Sequence, residues 1–182
     1  MDGAVDSDET LMRHYAAGDV RAFEALYRRH ELKVWRYLLR SVSNQATADE
    51  LLQDVWFAVV RSAATYQPTA RFTTWIFAIA HHTLVDRHRR TRPLEELDAV
   101  HDPQADARDE PSRQVESAES TEALIRAVEQ LPPEQRDAFL LQAEGDLSVE
   151  EIAQATETTF ETAKSRLRYA RGKLRQLLQE HR

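Results

Sequence analysis

Apolar residues recur at helical spacing, every three or four positions, along two stretches of this chain, and an acidic stretch without that spacing separates them. No stretch shows the strict alternation of apolar and polar residues that predicts a β-strand. Ala, Leu, Glu, Arg and Gln are abundant, and the chain has only four Gly and six Pro, which also favours helix. The pattern therefore predicts an all-α protein.

The separating stretch runs from Pro93 to about Ser117. It contains two further prolines and many carboxylates but no aromatic residue, so it lacks the apolar surface that a packed core needs. Such a composition is typical of a mobile linker. We predict two small helical domains, at residues 8–92 and 119–182, joined by a flexible acidic linker at 93–118. A mobile linker should let the two domains tumble separately.

Basic residues are concentrated in two segments, although the formal net charge of the chain is -7. Between Arg71 and Arg92 five arginines stand against one carboxylate, and from Glu161 onward seven Lys and Arg residues stand against two Glu. Two basic segments on an acidic chain indicate two phosphate-binding surfaces. The alternative is that both are ordinary solvated helix faces.

The composition also excludes several classes of protein. The absence of cysteine excludes disulfides and thiolate metal sites and favours a cytoplasmic location. The segment from Met1 to Glu9 is acidic, so we expect no signal peptide. The longest apolar stretch, near Trp75 to Ala80, is far below the ~20 residues that cross a bilayer, so we expect no membrane insertion.

A metal-dependent hydrolase is an alternative suggested by neighbouring side chains on one predicted helix, namely His81, His82, Asp86 and His88. Zinc needs a third ligand and supporting partners, and no His-Glu-x-x-His arrangement is present. A Gly-rich phosphate loop, a nucleophile elbow and a kinase signature are also missing. We therefore expect no metal, no cofactor and no enzymatic activity.

The first helical stretch predicts four helices, at about Glu9–Ala17, Val20–Ser41, a third opened by a capping box at Thr47 and Glu50, and Phe72–Arg90. Gly18 is a predicted left-handed cap after the first helix. Pro68 predicts a loop from Tyr66 to Arg71. The apolar face of the fourth helix is predicted to bury Phe72, Ile76, Ile79 and Thr83, and Trp75 is interpreted as core packing.

The second helical stretch predicts a helix-turn-helix motif. Pro133 suits the first turn of a helix that closes at Gly145, and Ser148 with Glu151 forms a capping box. A polar turn at 156–159 and a long helix with a basic outer face follow. Such a second helix can read the major groove, whereas the alternative is an ordinary amphipathic pair. The inner stripe of the long helix is Phe160, Ala163, Leu167, Ala170, Leu174 and Leu177.

This second stretch resembles region 4 of the extracytoplasmic-function (ECF) sigma factors in three runs, Leu131-Pro-Pro-Glu-Gln-Arg-Asp-Ala-Phe-Leu-Leu, Leu147-Ser-Val-Glu-Glu-Ile-Ala and Thr162-Ala-Lys-Ser-Arg-Leu-Arg-Tyr-Ala-Arg. The resemblance implies binding to the upstream (minus-thirty-five) promoter element and to the flap of the polymerase beta subunit. It assigns base or groove contacts to Lys164, Ser165, Arg168 and Tyr169, and phosphate contacts to Thr162, Arg166 and Arg171. The turn departs from the family, because Glu157 to Glu161 lacks the usual Gly.

The first stretch resembles region 2 of the same family. The run Ala48-Asp-Glu-Leu-Leu-Gln-Asp-Val-Trp is similar to the motif that docks on the clamp helices of the polymerase beta-prime subunit. The resemblance assigns polymerase binding to Asp49, Glu50, Gln53, Asp54 and Trp56. Without the resemblance, the same residues would be interpreted as a solvated acidic helix face.

The run from Arg71 to Arg90 resembles the helix that melts the promoter and binds its downstream (minus-ten) element. The family traps a flipped base of the non-template strand there, and His82 stands where it often has Asn. The matching positions are Tyr66, Gln67, Arg71, His82, Asp86 and Arg89.

The resemblance implies a non-enzymatic transcription initiation factor whose partners are core RNA polymerase, promoter DNA and an anti-sigma factor. It also implies a monomer when free, with weak specific affinity for DNA alone. The alternative is a free-standing helix-turn-helix regulator, which would bind duplex DNA as a dimer without polymerase.

Overall fold

The computed structural model describes residues 6–95 and 115–179, and all regular structure in these ranges is helical. The helices are α1 (Asp8–Ala16), α2 (Val20–Val42), α3 (Gln45–Ser62), a short 3-10 helix (Ala63–Thr65), α4 (Phe72–Glu95), α5 (Val115–Glu129), α6 (Pro133–Gly145), α7 (Val149–Ala155) and α8 (Phe160–Gln179). The prediction of an all-α fold is confirmed. Within the described residues no helix has the length and hydropathy needed to cross a membrane.

Two helix bounds differ from the sequence prediction at the linker. Helix α4 continues to Glu95 and α5 already begins at Val115, so the ends of the predicted linker are helical. Apolar periodicity locates a helix better than it locates the ends of the helix, so bounds predicted from sequence shift by a few residues. The remainder of the predicted linker, residues 96–114, lies outside the described residues.

Helices α1 to α4 form the first domain around one apolar core. Trp56 of α3 packs edge-on against Phe23 with ring centroids 5.6 Å apart, and its ring lies 4.9 Å from that of Tyr27. Each fully buried large apolar side chain stabilises the fold by about 1.5–3 kcal/mol. The core residues without solvent exposure include Met12, Leu26, Val34, Leu38, Val55, Val59, Phe72 and Ile76. Ile79 and Thr83, which were predicted to be buried, are only partly so.

Local capping fixes where these helices begin. The Asn44 side chain accepts a hydrogen bond from the Thr47 N–H at 2.9 Å, so α3 starts at Gln45. The predicted capping box at Thr47 and Glu50 is therefore wrong, because Asn44 caps the helix three residues earlier. Gly18 has φ of 103°, a left-handed conformation that glycine adopts without a steric penalty, as predicted.

Helices α5 to α8 form the second domain. The predicted capping box of α7 is confirmed, because Ser148 Oγ accepts from the Glu151 N–H at 3.2 Å and the Glu151 carboxylate accepts from the Ser148 N–H at 2.8 Å. The predicted inner stripe of α8 is buried except for Phe160, which is 40% exposed. Phe160 is the first residue of α8 and contacts Lys164, whose ammonium lies 5.6 Å from the ring centre.

The two domains pack against each other, with α2 on α6 and α4 on α7. The hydroxyl of Tyr37, which has no solvent exposure, donates to Asp137 Oδ1 at 2.6 Å. Gly145 faces the ring of Phe77, and a Cβ at Gly145 would lie 3.1 Å from that ring. The expectation of two separate bodies does not hold in this structure, because buried side chains and ion pairs join the domains.

Candidate nucleic-acid and partner interfaces

The turn between α7 and α8 sets the direction of α8. Glu157 adopts a left-handed conformation with φ of 52°, which turns the chain without the glycine common in the family. Thr159 then caps α8, because its hydroxyl oxygen accepts a hydrogen bond from the Thr162 N–H at 3.2 Å. With Ala163 and Leu167 buried, the opposite side of α8 faces solvent.

The outer face of α8 presents cations and one aromatic ring. Lys164, Arg168 and Tyr169 are exposed, and Tyr169 retains 56% of its accessible surface. The Arg168 guanidinium lies over the Tyr169 ring, 4.9 Å from its centre. Guanidinium and ammonium groups bind guanine edges and phosphates, and an aromatic ring makes apolar contacts with bases. These three predicted residues therefore lie together on an open surface.

The other predicted residues of α8 border this surface, and the two arginines among them have protein partners. Arg166 pairs with Glu134 at 3.0 Å, and Arg171 donates to the side-chain oxygen of Gln142. Ser165 and Thr162 are half-buried beside an open groove between α8 and the start of α6, which is lined by Pro132, Pro133, Glu134, Gln135, Glu161 and Tyr169.

The loop before α4 has one buried end and an exposed middle. Gln67 is exposed, but the Tyr66 hydroxyl is buried and has no hydrogen-bond partner within the described residues. Only the ring of Tyr66 is thus available to a ligand at the surface. The Tyr66 ring packs edge-on against Trp75 with centroids 4.9 Å apart, which agrees with the interpretation of Trp75 as core packing.

Two predicted downstream-element residues bind carboxylates of the second domain. Arg71 Nε donates to Glu151 Oε1 at 2.7 Å, and His82 Nε2 lies 3.2 Å from Glu157 Oε1. The other two predicted residues, Asp86 and Arg89, are exposed one turn apart on α4, with 3.9 Å between their charged groups.

Glu151 connects three parts of this contact. Its carboxylate caps α7, accepts from the Thr74 hydroxyl at 2.8 Å and binds Arg71. Burial acts to raise the pKa of the Glu151 carboxyl, but the hydrogen bonds from Ser148 and Thr74 and the charge of Arg71 outweigh burial and lower it. Glu151 is therefore a carboxylate near neutral pH.

The predicted polymerase-binding residues lie on α3, and four of the five are exposed. Asp49 accepts a hydrogen bond from Trp35 Nε1 at 2.7 Å, and Glu50 lies 3.4 Å from Arg87. Gln53 and Asp54 face solvent on the same side of α3.

Trp56, the fifth predicted residue, requires correction. It is only 5% exposed and packs on α2, so its ring is part of the core. The aromatic side chain that accompanies Gln53 on the surface is Phe57, one position later and 58% exposed. Helical spacing could have identified this, because Trp56 shares a face with Leu52 whereas Phe57 shares one with Gln53.

The histidines of α4 are engaged between the domains. His81 Nδ1 lies 3.0 Å from Asp137 Oδ2, and His82 contacts Glu157. Among the described residues no three His, Cys, Asp or Glu side chains are grouped closely enough to hold a metal ion.

Sequence reasoning missed the acidic residues that hold the domains together. The Glu144 carboxylate accepts from Arg36 Nε at 2.9 Å and lies 3.4 Å from Arg40 Nε. Together with Asp137 and Glu151, it forms an acidic surface of the second domain opposite the basic side of the first. No local pattern marks these pairs, since their partners are far apart in sequence.

The fold and its exposed basic helix define a two-domain DNA-binding protein of the helix-turn-helix class. Residues 26–93 match the Sigma-70 region 2 family and residues 121–174 match Sigma-70, region 4. The RNA polymerase sigma factor CarQ of Myxococcus xanthus is 32% identical over 93% of this chain and 96% of CarQ. The ECF RNA polymerase sigma factor SigM of Mycobacterium tuberculosis is 33% identical over 94% of this chain and 85% of SigM.

The chain therefore belongs to the ECF RNA polymerase sigma factors, a family of transcription initiation factors rather than enzymes, and the family resemblance is confirmed. As such it is a subunit that binds RNA polymerase. The sigma factor RpoE in complex with the anti-sigma factor NepR from Bartonella quintana has a similar fold, with a TM-score of 0.71, 21% identity, and coverage of 88% of this chain and 98% of that one.

Proposed function

We propose that this sigma factor reads two promoter elements with its two domains. Residues 8–92 bind core polymerase and open the downstream element, residues 119–182 bind the upstream element, and residues 93–118 connect them. The main support is that this chain carries two basic surfaces. One is the open basic and aromatic face of α8, and the other surrounds the loop before α4.

The upstream element is bound by α8 in the major groove. Lys164 and Arg168 are exposed near its N-terminal half, where recognition helices contact base edges, and Tyr169 lies beside Arg168. Ser165 would contact the groove floor. Thr162, Arg166 and Arg171 flank these residues and would contact phosphates, which position the helix without reading sequence. Arg166 would first have to exchange Glu134 for a phosphate.

The downstream element is opened by the loop at 66–71 and the outer side of α4. An unstacked base of the non-template strand costs a few kcal/mol to extrude, and stacking and edge contacts offset that cost. Gln67 and the Tyr66 ring are available at the loop, and Asp86 and Arg89 extend the surface along α4. In this proposal Arg71 and His82 contact DNA only after they leave Glu151 and Glu157.

In this proposal, promoter opening accompanies separation of the two domains. While the domains are packed, Nε and Nη2 of Arg71 bind Glu151 and the Asp146 carbonyl, so these N–H groups are not available to a DNA phosphate. We propose that the free chain is packed and that core polymerase separates its domains. The packed arrangement also predicts weak specific DNA affinity for the free monomer.

The polymerase-binding surface is the exposed side of α3. It consists of the carboxylates of Asp49, Glu50 and Asp54 around Gln53, with Phe57 replacing Trp56 as the aromatic contact. We propose that it binds the clamp helices of the beta-prime subunit, where a basic partner surface would complement its charge. The second domain would bind the flap of the beta subunit.

The remaining proposals concern regulation and location. An anti-sigma factor would keep this sigma factor from polymerase. The support is the similar fold of RpoE, whose structure was solved in complex with the anti-sigma factor NepR. The chain would act in the cytoplasm, without catalysis or a cofactor.

The test is run-off transcription with bacterial core polymerase on a promoter library. Wild-type protein should give specific start sites, and Gln53→Ala with Asp54→Ala should abolish them. The control is Glu150→Ala with Gln154→Ala, which removes one exposed acid and one exposed amide from α7. If wild-type protein gives no start sites but binds specific duplex DNA alone, the chain is a free-standing regulator.

A further inference from the structure

A carboxylate of α1 caps the first turn of α4. Glu9 Oε1 accepts a hydrogen bond from the Phe72 backbone N–H at 2.7 Å, across 63 positions of sequence. Phe72 is the first residue of α4, where backbone N–H groups have no partner inside the helix. The two residues before it, Ala70 and Arg71, have no side-chain oxygen that could act as a local cap. Another helix therefore supplies the cap.

The charge of Glu9 suits this position. The hydrogen bond from the Phe72 N–H lowers the pKa of the Glu9 carboxyl, against a smaller opposing effect of burial. Glu9 is therefore ionised near neutral pH, and a negative charge at a helix N-terminus is stabilised by the helix dipole. Glu9 is half-buried and bound to backbone, and its negative charge repels phosphates. We therefore do not expect Glu9 itself to contact DNA.

The loop at 66–71 is held by α1 at its other end as well. Helix α1 packs against the 3-10 helix that leads into Tyr66. Burial, followed by the charges of Glu9 and Asp8, raises the pKa of Tyr66 to about 12, which reflects the proximity of its hydroxyl to both carboxylates. Residues 67–69 between these two ends are exposed. Helix α1 thus holds both ends of a loop whose middle is open.

The adjacent carboxylate, Asp8, makes different contacts. It accepts a hydrogen bond from Arg29 at 2.7 Å, and its other oxygen lies 2.7 Å from His30 Nε2, both on α2. These contacts to α2 add to the burial of Leu11 and Met12, which holds α1 in the first domain. Asp8 and Glu9 are therefore neighbouring residues of similar chemistry, of which only one touches the loop–α4 junction.

We propose that Glu9 is a positioning residue for the loop at 66–71, fixing its junction with α4 so that the loop is preformed to receive an unstacked base of the non-template strand. This inference rests on the function proposed above for that loop. When the loop is preformed, binding does not have to overcome the conformational entropy of ordering it. Loss of the preformed conformation therefore weakens binding although every contact to DNA is kept.

The experiment uses holoenzyme assembled from core polymerase and the full chain. The probe is a labelled single-stranded oligonucleotide with the non-template downstream element of a promoter found by run-off transcription. Glu9→Ala should weaken its binding about fivefold, the factor that corresponds to loss of a typical helix cap. Glu9→Gln keeps an oxygen that accepts from the Phe72 N–H and should restore binding to within about twofold. Binding of duplex upstream-element DNA should not change.

Two further variants separate positioning from general stability. Asp8→Ala removes contacts to α2 and leaves the cap, so it should lower the melting temperature without weakening oligonucleotide binding more than about twofold. Glu9→Asp keeps the charge but is one methylene shorter, so it should weaken binding as Glu9→Ala does. This variant replaces Glu9→Ala in the test if the alanine variant fails to fold.

Three results would overturn the positioning role. The first is that Glu9→Ala and Glu9→Asp both bind the oligonucleotide as wild type does. The second is that Asp8→Ala and Glu9→Ala weaken its binding equally. Wild-type holoenzyme that does not distinguish the oligonucleotide from a scrambled one would instead refute the function proposed for the loop, and the role of Glu9 with it.

Discussion

The two proposed DNA-binding surfaces differ in what already contacts them. On α8, Lys164, Arg168 and Tyr169 face solvent, and the contacts between Arg168 and Tyr169 stay within that surface. Around α4, by contrast, Arg71 and His82 contact carboxylates of the other domain. The upstream surface is open in the packed chain, whereas the downstream surface is partly covered by the protein itself.

The proposed function uses this difference to separate promoter binding from promoter opening. The ion pair between Arg71 and Glu151 is partly exposed, so alone it contributes at most about 1 kcal/mol. The buried side chains behind it, Phe77 and Tyr37, contribute more to the domain contact. We therefore assign separation of the domains to a partner with a large interface, core polymerase, and expect DNA alone to compete weakly with this contact.

The largest expected effect is on the packing that covers the downstream surface. Phe77 has no solvent exposure, and its ring lies 5.5 Å from that of Tyr37 and beside Gly145. Phe77→Ala should lower the free energy of unfolding by about 3–5 kcal/mol. Denaturant titration should show wild type unfolding in one transition for both domains.

The matched control is Phe57→Ala on the exposed side of α3, which should change the free energy of unfolding by less than about 0.5 kcal/mol. If Phe77→Ala destabilises the first domain and leaves an unaltered second transition for α5 to α8, the domains are not coupled and the comparison fails.

The next effect concerns the open surface. Arg168→Ala should weaken upstream-element binding by holoenzyme by about 1–3 kcal/mol, because a cation that reads a base edge is lost. Arg175→Ala on the last turns of the same helix is the control and should have a small effect. Equal losses for the two variants would mean that α8 acts only through its total charge. Filter binding or anisotropy on matched and altered upstream elements measures both.

A smaller effect, an increase in DNA affinity, is expected at the covered surface around Arg71. Glu151→Gln keeps an acceptor for the Ser148 N–H but removes the charge that holds Arg71. Binding of the downstream single strand by the free chain should therefore improve, by about 1 kcal/mol or less. Glu150→Gln, an exposed neighbour, should leave the affinity unchanged. Weaker binding by Glu151→Gln would show that Arg71 is not restrained by this contact.

The smallest effect is the acid dependence of stability. The pKa values of Asp8, Glu9 and Glu151 are all lowered in the folded chain, by hydrogen bonds and nearby cations that outweigh burial. Their contribution to stability is present above the ordinary carboxyl pKa and disappears as the pH falls through the lowered values. Melting temperatures should hence be steady down to about pH 5 and fall below it.

Glu151→Gln should make that acid-induced fall shallower, because one of the three carboxyls is removed. Glu150→Gln should follow the wild-type curve. An acid profile of Glu151→Gln that superimposes on wild type would show that Glu151 does not gain stability from Arg71, Thr74 and its cap.

Local features of the fold could be predicted from sequence because their causes are local. The Ser148 and Glu151 capping box, the loop after Tyr66 and the inner stripe of α8 each follow from spacing within one or two turns. The capping of α3 was mispredicted because Asn44 and Thr47 are both acceptable N-cap residues, and only the backbone shows which one caps the helix.

The site was less predictable, because it depends on contacts between distant segments. The family motif assigned a surface role to Trp56, but its ring lies in the core and the neighbouring Phe57 is exposed. The pair of Arg71 with Glu151 spans 80 positions, and no sequence period relates such residues. Charge segregation predicted where basic surfaces lie, but not that one of them is covered by carboxylates of the other domain.

The most direct test of the packed arrangement is energy transfer between labels on the two domains. The chain has no cysteine, so Lys33→Cys on α2 and Ala143→Cys on α6 give two unique labelling positions, both exposed near the domain contact. We predict high transfer efficiency in the free chain and a marked drop when core polymerase is added. Low efficiency in the free chain, or high efficiency that persists in a holoenzyme active in run-off transcription, would contradict the account.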